Sequence, residues 1–493
     1  MKLFLPSLIA VSLSTAVAAK PAVEPVDLVI RNVTVIDPAS RKVAKRRDLI
    51  VDNGRIVGVS ASGKAVRAAD RVIDGTGKFA IPGLIDMHVH TGLRPIHQST
   101  LLLNLANGVT GVRDMASDCQ RPGGVALCLD EMRQSAAAIE AGKLPGPRLL
   151  ALSTMKIQTI GRPADPADPR SIYYPRNAEE GAATAAALLA RKPDIIKIGD
   201  PLDAGAYQAL LTAARQAGIE ASGHIPLGLS VADVSRMGQR SIEHARDLPL
   251  DCSTYGAKFR AEMKAGLPEK APSFEAGLER IKKSVESQDK AVCRNQIAAM
   301  VKGGTYYVPT HLTREMDFRA SDPQYRADPR MVYVAPQLAQ MWKRDLDRYA
   351  KASADDVMVL KSFYQLGLRL TGQAHRAGVK IMAGTDSNDT MIFPGFSLHD
   401  ELANLVAAGL GPMDALRAAT SVPAEYLRRP GDLGSLRQGQ LADIVLLDAD
   451  PLASIANTRT IAAVIQGGRV HDRAALDAML AQARSLAAGT ASK

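Results

Sequence analysis

A pair of histidines two residues apart is the first candidate for chemistry in this sequence. In DMHVH, residues 86–90, His88 and His90 are separated by one residue. On a β-strand both side chains would point to the same side, together with Asp86. Imidazole nitrogens are ligands of zinc and other divalent metals. Because such a pair also occurs on surface strands that bind nothing, the spacing alone is weak evidence for a metal site.

More side chains of ligand type stand at the ends of other apolar, strand-like runs. They are Lys197 in DIIKIG, His224 in SGHI, His244 in SIEH and Asp386 in GTD. If these runs are parallel strands of one barrel, their carboxyl ends meet at the rim where barrel enzymes build active sites. Lys197 is unusual in such a run, because buried parallel strands carry mostly Val, Ile and Leu. The alternative for Lys197 is an ion pair with Asp194 or Asp200 inside the barrel.

Hydrophobic patterning predicts the elements that would position these residues. Residues 26–80 contain short β runs separated by Asn-Gly and Gly-x-Gly turns, which indicates a small β module. Apolar runs then alternate with alanine-rich helical stretches, the pattern of βα units and a parallel sheet. The eight predicted strands are 81–90, 109–115, 148–154, 194–199, 219–225, 240–245, 305–310 and 380–386.

The remaining segments predict insertions and a returning tail. The intervals 246–304 and 311–379 are too long for a bare βα unit, so we expect insertions over one end of the barrel, where substrate pockets form. The tail returns to β patterning in LADIVLLDADP and IAAVIQGGRV. We therefore expect the tail to complete the N-terminal β module.

The first twenty residues are typical of an export signal. They contain Lys2, an apolar run, and the small residues Ala16, Ala18 and Ala19 before a cleavage site near Ala19 or Lys20. The run is shorter than the roughly 20 residues that a bilayer span needs, which disfavours a membrane anchor. No later segment of the sequence is long and apolar enough to span a membrane. We expect a periplasmic or secreted protein without stable membrane insertion.

The charge pattern gives no indication of a nucleic-acid partner. The formal net charge is +10, but basic and acidic residues alternate along most of the chain. The densest basic cluster, residues 41–47, lies between two strand-like runs and is interpreted as a solvated hairpin loop. Contact of this loop with a polyanion or an envelope surface is the lesser alternative.

Four cysteines, an even number, suit an exported chain with disulfides. Cys119 and Cys128 bracket a short loop, which leaves Cys252 and Cys293 as the second pair. Three connectivities are compatible with the sequence, and buried free thiols are the other alternative. None of the four lies in a CxxC motif, so we do not expect them to bind a metal.

Taken together, the motifs resemble the amidohydrolase superfamily, in particular its imidazolonepropionase-like branch of metal-dependent hydrolases. The resemblance runs from about Asp27 to Val470 and rests on GLIDMHVH, DIIKI, GH, SIEH, AGTDS, HDEL and LGSLRQGQLADIVLLDADPL. It implies an α/β fold, a distorted (β/α)8 TIM barrel with a small β-sandwich domain built from both termini. The implied segments are a signal peptide (1–19), two β-sandwich parts (20–81 and 429–475), the barrel (82–428) and a C-terminal helix or tail (476–493).

The resemblance also implies a centre with two divalent metal ions. The ligands would be His88, His90 and Asp386 for the more buried ion, His224 and His244 for the more exposed ion, and Lys197 for both. A free ammonium has no lone pair and would repel two cations, so the lysine would bridge them as a carbamate formed with carbon dioxide. Such ligands accept zinc, manganese, cobalt, nickel or iron, and zinc is the default.

The implied reaction is hydrolysis of an amide or related C–N bond, in a small peptide-like or N-acyl amino acid substrate. The metals would activate a water and polarise the carbonyl, and Asp386 would carry a proton to the departing nitrogen. His244 or His224 would contact the carbonyl oxygen. The sequence leaves open whether the chain is a homo-oligomer.

Further residues are expected to contact substrate or to support the ligands. His311 follows the seventh strand and would contact substrate or shuttle a proton, with Tyr306 beside it, while Ser387 and Asn388 follow the aspartate directly. Glu243 alternates away from His244, so it is expected to be a partner of a ligand. Arg113 and Asp114 would form an ion pair under the site or contact substrate.

The ligand set leaves several other functions open. An esterase, lactonase or organophosphate hydrolase could use the same centre. A mononuclear deaminase usually has a glutamate soon after the third histidine, which GHIPLG lacks. A catalytically silent barrel is disfavoured because all six ligand-type residues are present. GDPLDAG follows Lys197 where dipeptidase and carboxypeptidase relatives have a glycine-rich SGG segment, so a dipeptide specificity does not transfer directly.

Overall fold

The computed structural model describes residues 25–63, 68–165, 167–267 and 272–489 of the chain. The predicted signal peptide lies outside the described residues. Within the described ranges, no helix combines the length and the apolar character that crossing a membrane requires. The fold is a mixed α/β fold, as the sequence predicts.

The strands of the described ranges are β1 (Val26–Asp37), β2 (Lys42–Asp52), β3 (Arg55–Ala61), β4 (Ala69–Asp74), β5 (Phe79–Pro82), β6 (Leu84–Val89), β7 (Val109–Asp114), β8 (Arg148–Leu152), β9 (Ile195–Ile198), β10 (Glu220–Gly223), β11 (Ser241–Glu243), β12 (Tyr306–Val308), β13 (Ile444–Leu447), β14 (Ile461–Gln466) and β15 (Arg469–Asp472). Half of the six predicted ligands, Lys197, His224 and His244, lie on or directly after the short strands β9, β10 and β11.

The α-helices of the same ranges are α1 (His97–Ala106), α2 (Leu129–Glu140), α3 (Ala178–Leu189), α4 (Ala204–Ala217), α5 (Val231–Met237), α6 (Asp247–Asp251), α7 (Thr254–Ala265), α8 (Phe274–Glu286), α9 (Lys290–Gly303), α10 (Leu312–Arg319), α11 (Pro323–Arg326), α12 (Pro336–Tyr349), α13 (Ala354–Ala377), α14 (Phe396–Ala407), α15 (Pro412–Ala418), α16 (Ser421–Tyr426) and α17 (Arg473–Gly489). The two long intervals of the sequence are therefore helical insertions, α6–α9 and α10–α13.

Strands β6 to β12 are parallel and are separated by helices, which is a TIM-barrel-like arrangement. They form two ladders, β6-β7-β8 and β12-β11-β10-β9. Single parallel bridges connect the ladders to each other and to the expected eighth strand: Ser153 with Ile195, Tyr307 with Ile381, and Val89 with Ser387. The ladders do not close into a continuous barrel. Residues 380–386 form no regular strand, and Asp386 at their end has a left-handed backbone (φ 68°) that interrupts the pleat.

Both ends of the chain contribute to a separate eight-stranded sheet. Its order is β15-β14-β13-β5-β1-β2-β3, and β4 pairs with β1. The tail thus joins the N-terminal strands through β13 and β5. In the described ranges these strands are connected as one sheet, so a two-layer sandwich is not confirmed. The sheet has a core of its own, which includes Leu28, Leu49, Ile444 and Ile465.

Both cysteine pairs form disulfides. Cys119 is bonded to Cys128, and Cys252 to Cys293. This connectivity is the one that the spacing favoured, and it excludes the alternative of four free thiols. The second disulfide joins the end of α6 to α9, so it fastens the first helical insertion.

Candidate metal centre

Lys197 faces the interior of the barrel-like domain because its strand neighbours face the helices. Ile196 and Ile198 belong to the main hydrophobic core together with Tyr207 and Leu210 of α4, and side chains alternate along a strand. Lys197 is 2% exposed. Burial lowers the pKa of its amine to about 8, because the charged form loses hydration. A sizeable fraction of the amine is therefore neutral near pH 8, the form that can react with carbon dioxide.

Helix α4 and one glycine set the position of His224. The helix begins after Asp203, whose carboxylate accepts the Ala206 N–H, and it ends at Gly218 in the left-handed conformation. The chain then enters β10 beside β9. A Cβ on Gly223 would lie 2.4 Å from the carbonyl oxygen of Ile198, so only glycine permits this close approach. The His224 N–H donates to that same carbonyl at 2.9 Å.

Three of the predicted ligands form a tight group at the end of β6. One ligand atom from each of His88, His90 and Asp386 lies within 4.8 Å of the others. Asp386 Oδ1 is 2.8 Å from His90 Nε2 and 3.4 Å from His88 Nε2. Gly384 allows this segment to approach β6, because a Cβ there would lie 2.9 Å from the Cβ of His88. The group is a candidate site for one cation.

The other two histidines face each other across the same pocket. Their Nε2 atoms, in His224 and His244, are 3.1 Å apart. Each Nδ1 is already held, by Asp200 Oδ1 at 3.0 Å for His224 and by Thr310 Oγ1 at 2.8 Å for His244. The Nε2 atoms lie close together while each Nδ1 is held by another group, an arrangement suited to a cation between the Nε2 atoms.

Three of these histidines, His88, His224 and His244, are neutral at ordinary pH, as metal ligands must be. Burial, together with the positive charge of Arg246, lowers the pKa of His224 to about 4. Burial also holds the pKa of His244 well below its usual value, and that of His88 likewise, with the charge of Lys197 adding to the effect at His88. Neutral imidazoles keep a lone pair for coordination.

Lys197 lies among these groups. Its Nζ is 3.3 Å from His88 Nε2. The two carboxylates that could have paired with it are engaged elsewhere, since Asp194 accepts the Leu152 N–H and Asp200 contacts His224. A pocket of about 490 Å³ is lined by all six predicted ligands, which are His88, His90, Lys197, His224, His244 and Asp386.

A fully buried ion pair supports His88 from below. Arg113 Nη2 donates to both oxygens of Glu243 at 2.9 Å, and Glu243 Oε2 is 2.7 Å from His88 Nδ1. A carboxylate on Nδ1 favours the tautomer whose Nε2 lone pair faces the pocket. The partner of Arg113 is thus Glu243 and not Asp114, whose Oδ2 accepts from the N–H and hydroxyl of Thr91.

Strained backbone also marks this region. His244 has φ 72°, Asp386 has φ 68°, and Thr310, which holds His244, has φ 43°. A left-handed conformation costs a non-glycine residue on the order of 1–3 kcal/mol, and such strain concentrates at active sites and ligand clamps.

Comparison with known proteins agrees with the resemblance seen in the motifs. A family model described as the amidohydrolase family matches residues 367–471, which include Asp386 and the strands β13 and β14. Over these residues the chain is similar to the amidohydrolase family. A dihydroorotase from Endomicrobium trichonymphae is 46% identical over 67 residues, and this match covers 13% of the present chain. The chain spans 14% of the length of that relative.

Solved structures are similar over nearly the whole chain, at low sequence identity. A Xaa-Pro dipeptidase with bound methionine in its active site has a TM-score of 0.63 and 21% identity, covering 90% of this chain and 99% of that one. A bottromycin amidohydrolase has a TM-score of 0.66 and 20% identity, covering 93% and 90%. These similarities establish the fold.

Among the predicted substrate contacts, Asn388 lines the pocket. His311 does not, because it is fully buried with Nδ1 2.8 Å from Glu401 Oε1 and Nε2 3.0 Å from Thr371 Oγ1. Tyr306 packs against Tyr426 with ring centroids 5.2 Å apart, and Ser387 is buried beside the Val89 bridge. Neither of these two lines the pocket.

Several charged residues of the pocket are absent from the sequence-based prediction. They are Lys156, Arg246, Arg314 and Asp389. Arg246 and Asp389 each follow a predicted ligand within three residues, so closeness to the ligands in sequence could have identified them. Lys156 and Arg314 carry no comparable signal, because each belongs to a loop or helix whose direction the sequence does not reveal.

Proposed function

We propose that this chain is a metal-dependent hydrolase that cleaves the amide C–N bond of a small peptide-like or N-acyl amino acid substrate. The observation that carries the proposal is the pocket itself. Four histidines, one buried lysine and one aspartate line a single cavity, and no other cluster of three or more His, Cys, Asp or Glu side chains with metal-site geometry occurs in the described part of the chain.

The donor set fits two divalent ions, with zinc as the first choice. His88, His90 and Asp386 would hold one ion, and His224 and His244 the other. The low pKa of the Lys197 amine favours its reaction with carbon dioxide, which gives a carbamate anion and releases one proton; this anion would bridge the two ions. The bound metals would supply an activated water and a polarised carbonyl group.

Asp386 is suited to move the proton of the reaction. Burial alone would raise the pKa of this carboxyl, but its interactions with His88 and His90, which include the hydrogen bond from His90, and the charge of Lys197 hold the pKa well below its usual range. The group is therefore an anion that can accept a proton from the attacking water. Passing this proton to the departing nitrogen lets an amine leave in neutral form.

The proposal extends to the parts of the chain that surround the centre. A distorted (β/α)8 barrel over residues 82–428 would be flanked by a β-sandwich from 20–81 and 429–475. Residues 1–19 would direct the chain to the periplasm or out of the cell. The structural similarity to a dipeptidase and to an amidohydrolase supports an amide as the substrate.

A screen with metal-reconstituted enzyme tests the proposed reaction. N-acyl amino acids and dipeptides should be hydrolysed, and each should be paired with the ester of the same acyl group and with a lactone. The Asp386→Asn variant, which keeps the shape of the side chain but is a poor base, should lose the amide hydrolysis. Cleavage of esters or lactones without any amide would overturn the amide assignment. Release of ammonia from a nucleobase analogue with one bound metal would favour a deaminase.

A further inference from the structure

A second pocket of about 290 Å³ adjoins the metal pocket. Arg246 and Arg314 line both pockets, so the two spaces meet at these side chains. The second pocket is built by the helical insertions, with α6, α7 and α8 on one side and α13 on the other. We call it the arginine chamber, after the residues Arg246, Arg260, Arg280, Arg314 and Arg348 that line it.

Most of these arginines are already paired with carboxylates. Arg260 binds Asp247 and Asp251, each at 2.8 Å. Arg314 binds Asp317 at 2.8 Å, and the more exposed Arg348 lies 3.4 Å from Asp345. These pairs fix the chamber wall and leave little charge available for a ligand.

Arg246 is only partly satisfied. Its Nη2 lies 3.4 Å from Asp200 Oδ2, but this buried nitrogen has no hydrogen-bond partner within the described ranges. Asp200 is shared, because it also contacts Nδ1 of His224. Arg246 therefore lies between the metal centre and the chamber and has one N–H group without a hydrogen-bond partner in the described ranges.

Arg280 is the least satisfied cation of the chamber. In the part of the chain that the structure describes, no carboxylate lies within ion-pair distance of its guanidinium, whose carbon lies 5.2 Å from the centroid of the Phe259 ring. Burial and the charge of Arg246 lower the pKa of Arg280. A guanidinium has five N–H donors in a fork that matches a carboxylate.

The rest of the chamber wall is mixed. Apolar side chains, which include Leu250, Phe259, Leu278, Ile281 and Phe363, line it together with polar ones such as Asp247, Ser273 and Tyr349. The apolar side chains can cover an apolar segment of a ligand, and Arg280, which has no carboxylate partner in the described ranges, can receive an anion at the end of that segment.

We propose that the arginine chamber binds a carboxylate at the end of the substrate that is remote from the scissile bond, with Arg280 as its direct partner. This inference rests on the proposed function for the reaction at the metals. The substrate class is then narrowed to acylated amino acids or short peptides in which an apolar segment separates the scissile amide from a carboxylate. Arg246 and Arg314 would border the path between the two pockets.

Matched substrates and variants test the role of Arg280 in turnover. A hydrolysed amide with a terminal carboxylate is compared with its carboxamide analogue in wild type, Arg280→Gln, Arg280→Lys and Lys282→Gln. Lys282 is exposed on the same helix and serves as the charge-matched control. We expect Arg280→Gln to lower kcat/KM for the carboxylate about tenfold or more, the range of a lost charge-assisted hydrogen bond. The carboxamide should change less than about twofold by the same reasoning, and Arg280→Lys should restore part of the preference.

The proposal would be overturned if Arg280→Gln lowered kcat/KM equally for the carboxylate and the carboxamide. It would also be overturned if Lys282→Gln lowered kcat/KM for the carboxylate as much as Arg280→Gln does. Such results would mean that the change acts through folding or through overall charge.

A binding measurement separates this proposal from the proposed reaction. The metal-loaded enzyme is titrated calorimetrically with 4-phenylbutanoate and with 4-phenylbutanamide. We expect the carboxylate to bind more tightly in wild type and in Lys282→Gln, and the difference to disappear in Arg280→Gln. A carboxylate that binds the metals instead would keep its affinity in Arg280→Gln, which contradicts the proposal. If no amide is hydrolysed but this pattern of binding holds, the proposed function fails and the chamber assignment stands.

Discussion

Two buried arginine–carboxylate pairs serve different purposes in this molecule. Arg113 and Glu243 are both fully buried beneath the metal pocket. Arg148 of β8 and Asp443, just before β13, are nearly as buried and join the barrel-like domain to the terminal sheet. Burying such charges is costly in each case. The two pairs differ in the additional group that each carboxylate contacts besides its arginine.

These additional groups show what each pair does. Glu243 reaches the ring nitrogen of His88, so the first pair orients a predicted metal ligand. Asp443 accepts the backbone N–H of Gly467 at 2.7 Å, and Arg148 also contacts Glu140, so the second pair joins segments of the fold. Ion pairs of the same chemistry therefore differ in function according to their neighbours, and mutations should separate metal binding from stability.

The largest effect is expected for Glu243→Ala. It leaves Arg113 buried without its carboxylate partner, which costs about 3–5 kcal/mol of unfolding free energy, and it frees the His88 ring. Urea unfolding with metal analysis should show lower stability and lower metal content together. Glu243→Gln keeps a side chain of the same shape that can still form hydrogen bonds, so its stability and metal content should lie between those of Glu243→Ala and wild type. If the Glu243→Ala protein were destabilised but bound as much metal as wild type, the Arg113–Glu243 pair would not support the metal centre.

A smaller effect is expected for Asp443→Ala. Glu140 still contacts Arg148 in this variant, so the cost should be about 1–3 kcal/mol, typical of a buried group that loses one partner. Metal content and kcat/KM of the folded protein should match wild type, as measured below the unfolding transition. A loss of metal or activity in folded Asp443→Ala would show that the two pairs are not separable.

The His311→Gln variant tests whether His311, which does not line the pocket, takes part in the reaction. The variant loses hydrogen bonds to Glu401 or Thr371, and we expect a loss of about 1–2 kcal/mol in unfolding free energy. Because His311 does not line the pocket, kcat/KM should stay close to the wild-type value. A large fall in kcat/KM at unchanged stability would restore the direct role that the sequence predicts.

The smallest effect is expected at the surface. Arg71 and Asp472 pair at 3.1 Å, but their side chains are 48% and 55% exposed. Exposed pairs contribute about 0–1 kcal/mol, so Arg71→Ala should leave the unfolding free energy nearly unchanged in salt. If Arg71→Ala lowered the unfolding free energy as much as Asp443→Ala does, burial would not explain why the ion pairs differ in their contribution to stability.

The sequence is most informative where a pattern repeats along one strand. Alternation around Lys197 predicts that its side chain faces inward, and the apolar runs predict β6 to β12 within a few residues. The eighth strand is less regular than predicted because Asp386 has a left-handed backbone, a local property that apolar periodicity does not report.

Features that join distant segments could not be predicted in this way. The arginine chamber unites Arg246, which follows β11, with Arg280 of α8 and Arg348 of α12, and no periodicity relates these positions. The contacts of His311 with Glu401 and Thr371 likewise join segments that are far apart in the sequence. Glu243 is a partial success: alternation predicts that it supports a ligand, but not that the ligand is His88 or that Arg113 is its partner.

The central claim, two metals bridged by a modified Lys197, is tested most directly by the metal-to-protein ratio and kcat/KM of wild type and Lys197→Ala, both supplied with zinc and bicarbonate. The account predicts near two ions per chain in wild type. In the variant it predicts fewer ions and a loss of at least about 100-fold in kcat/KM, because removing even residues that only support metal ligands costs 10–100-fold. Two bound ions and full activity in Lys197→Ala would contradict it.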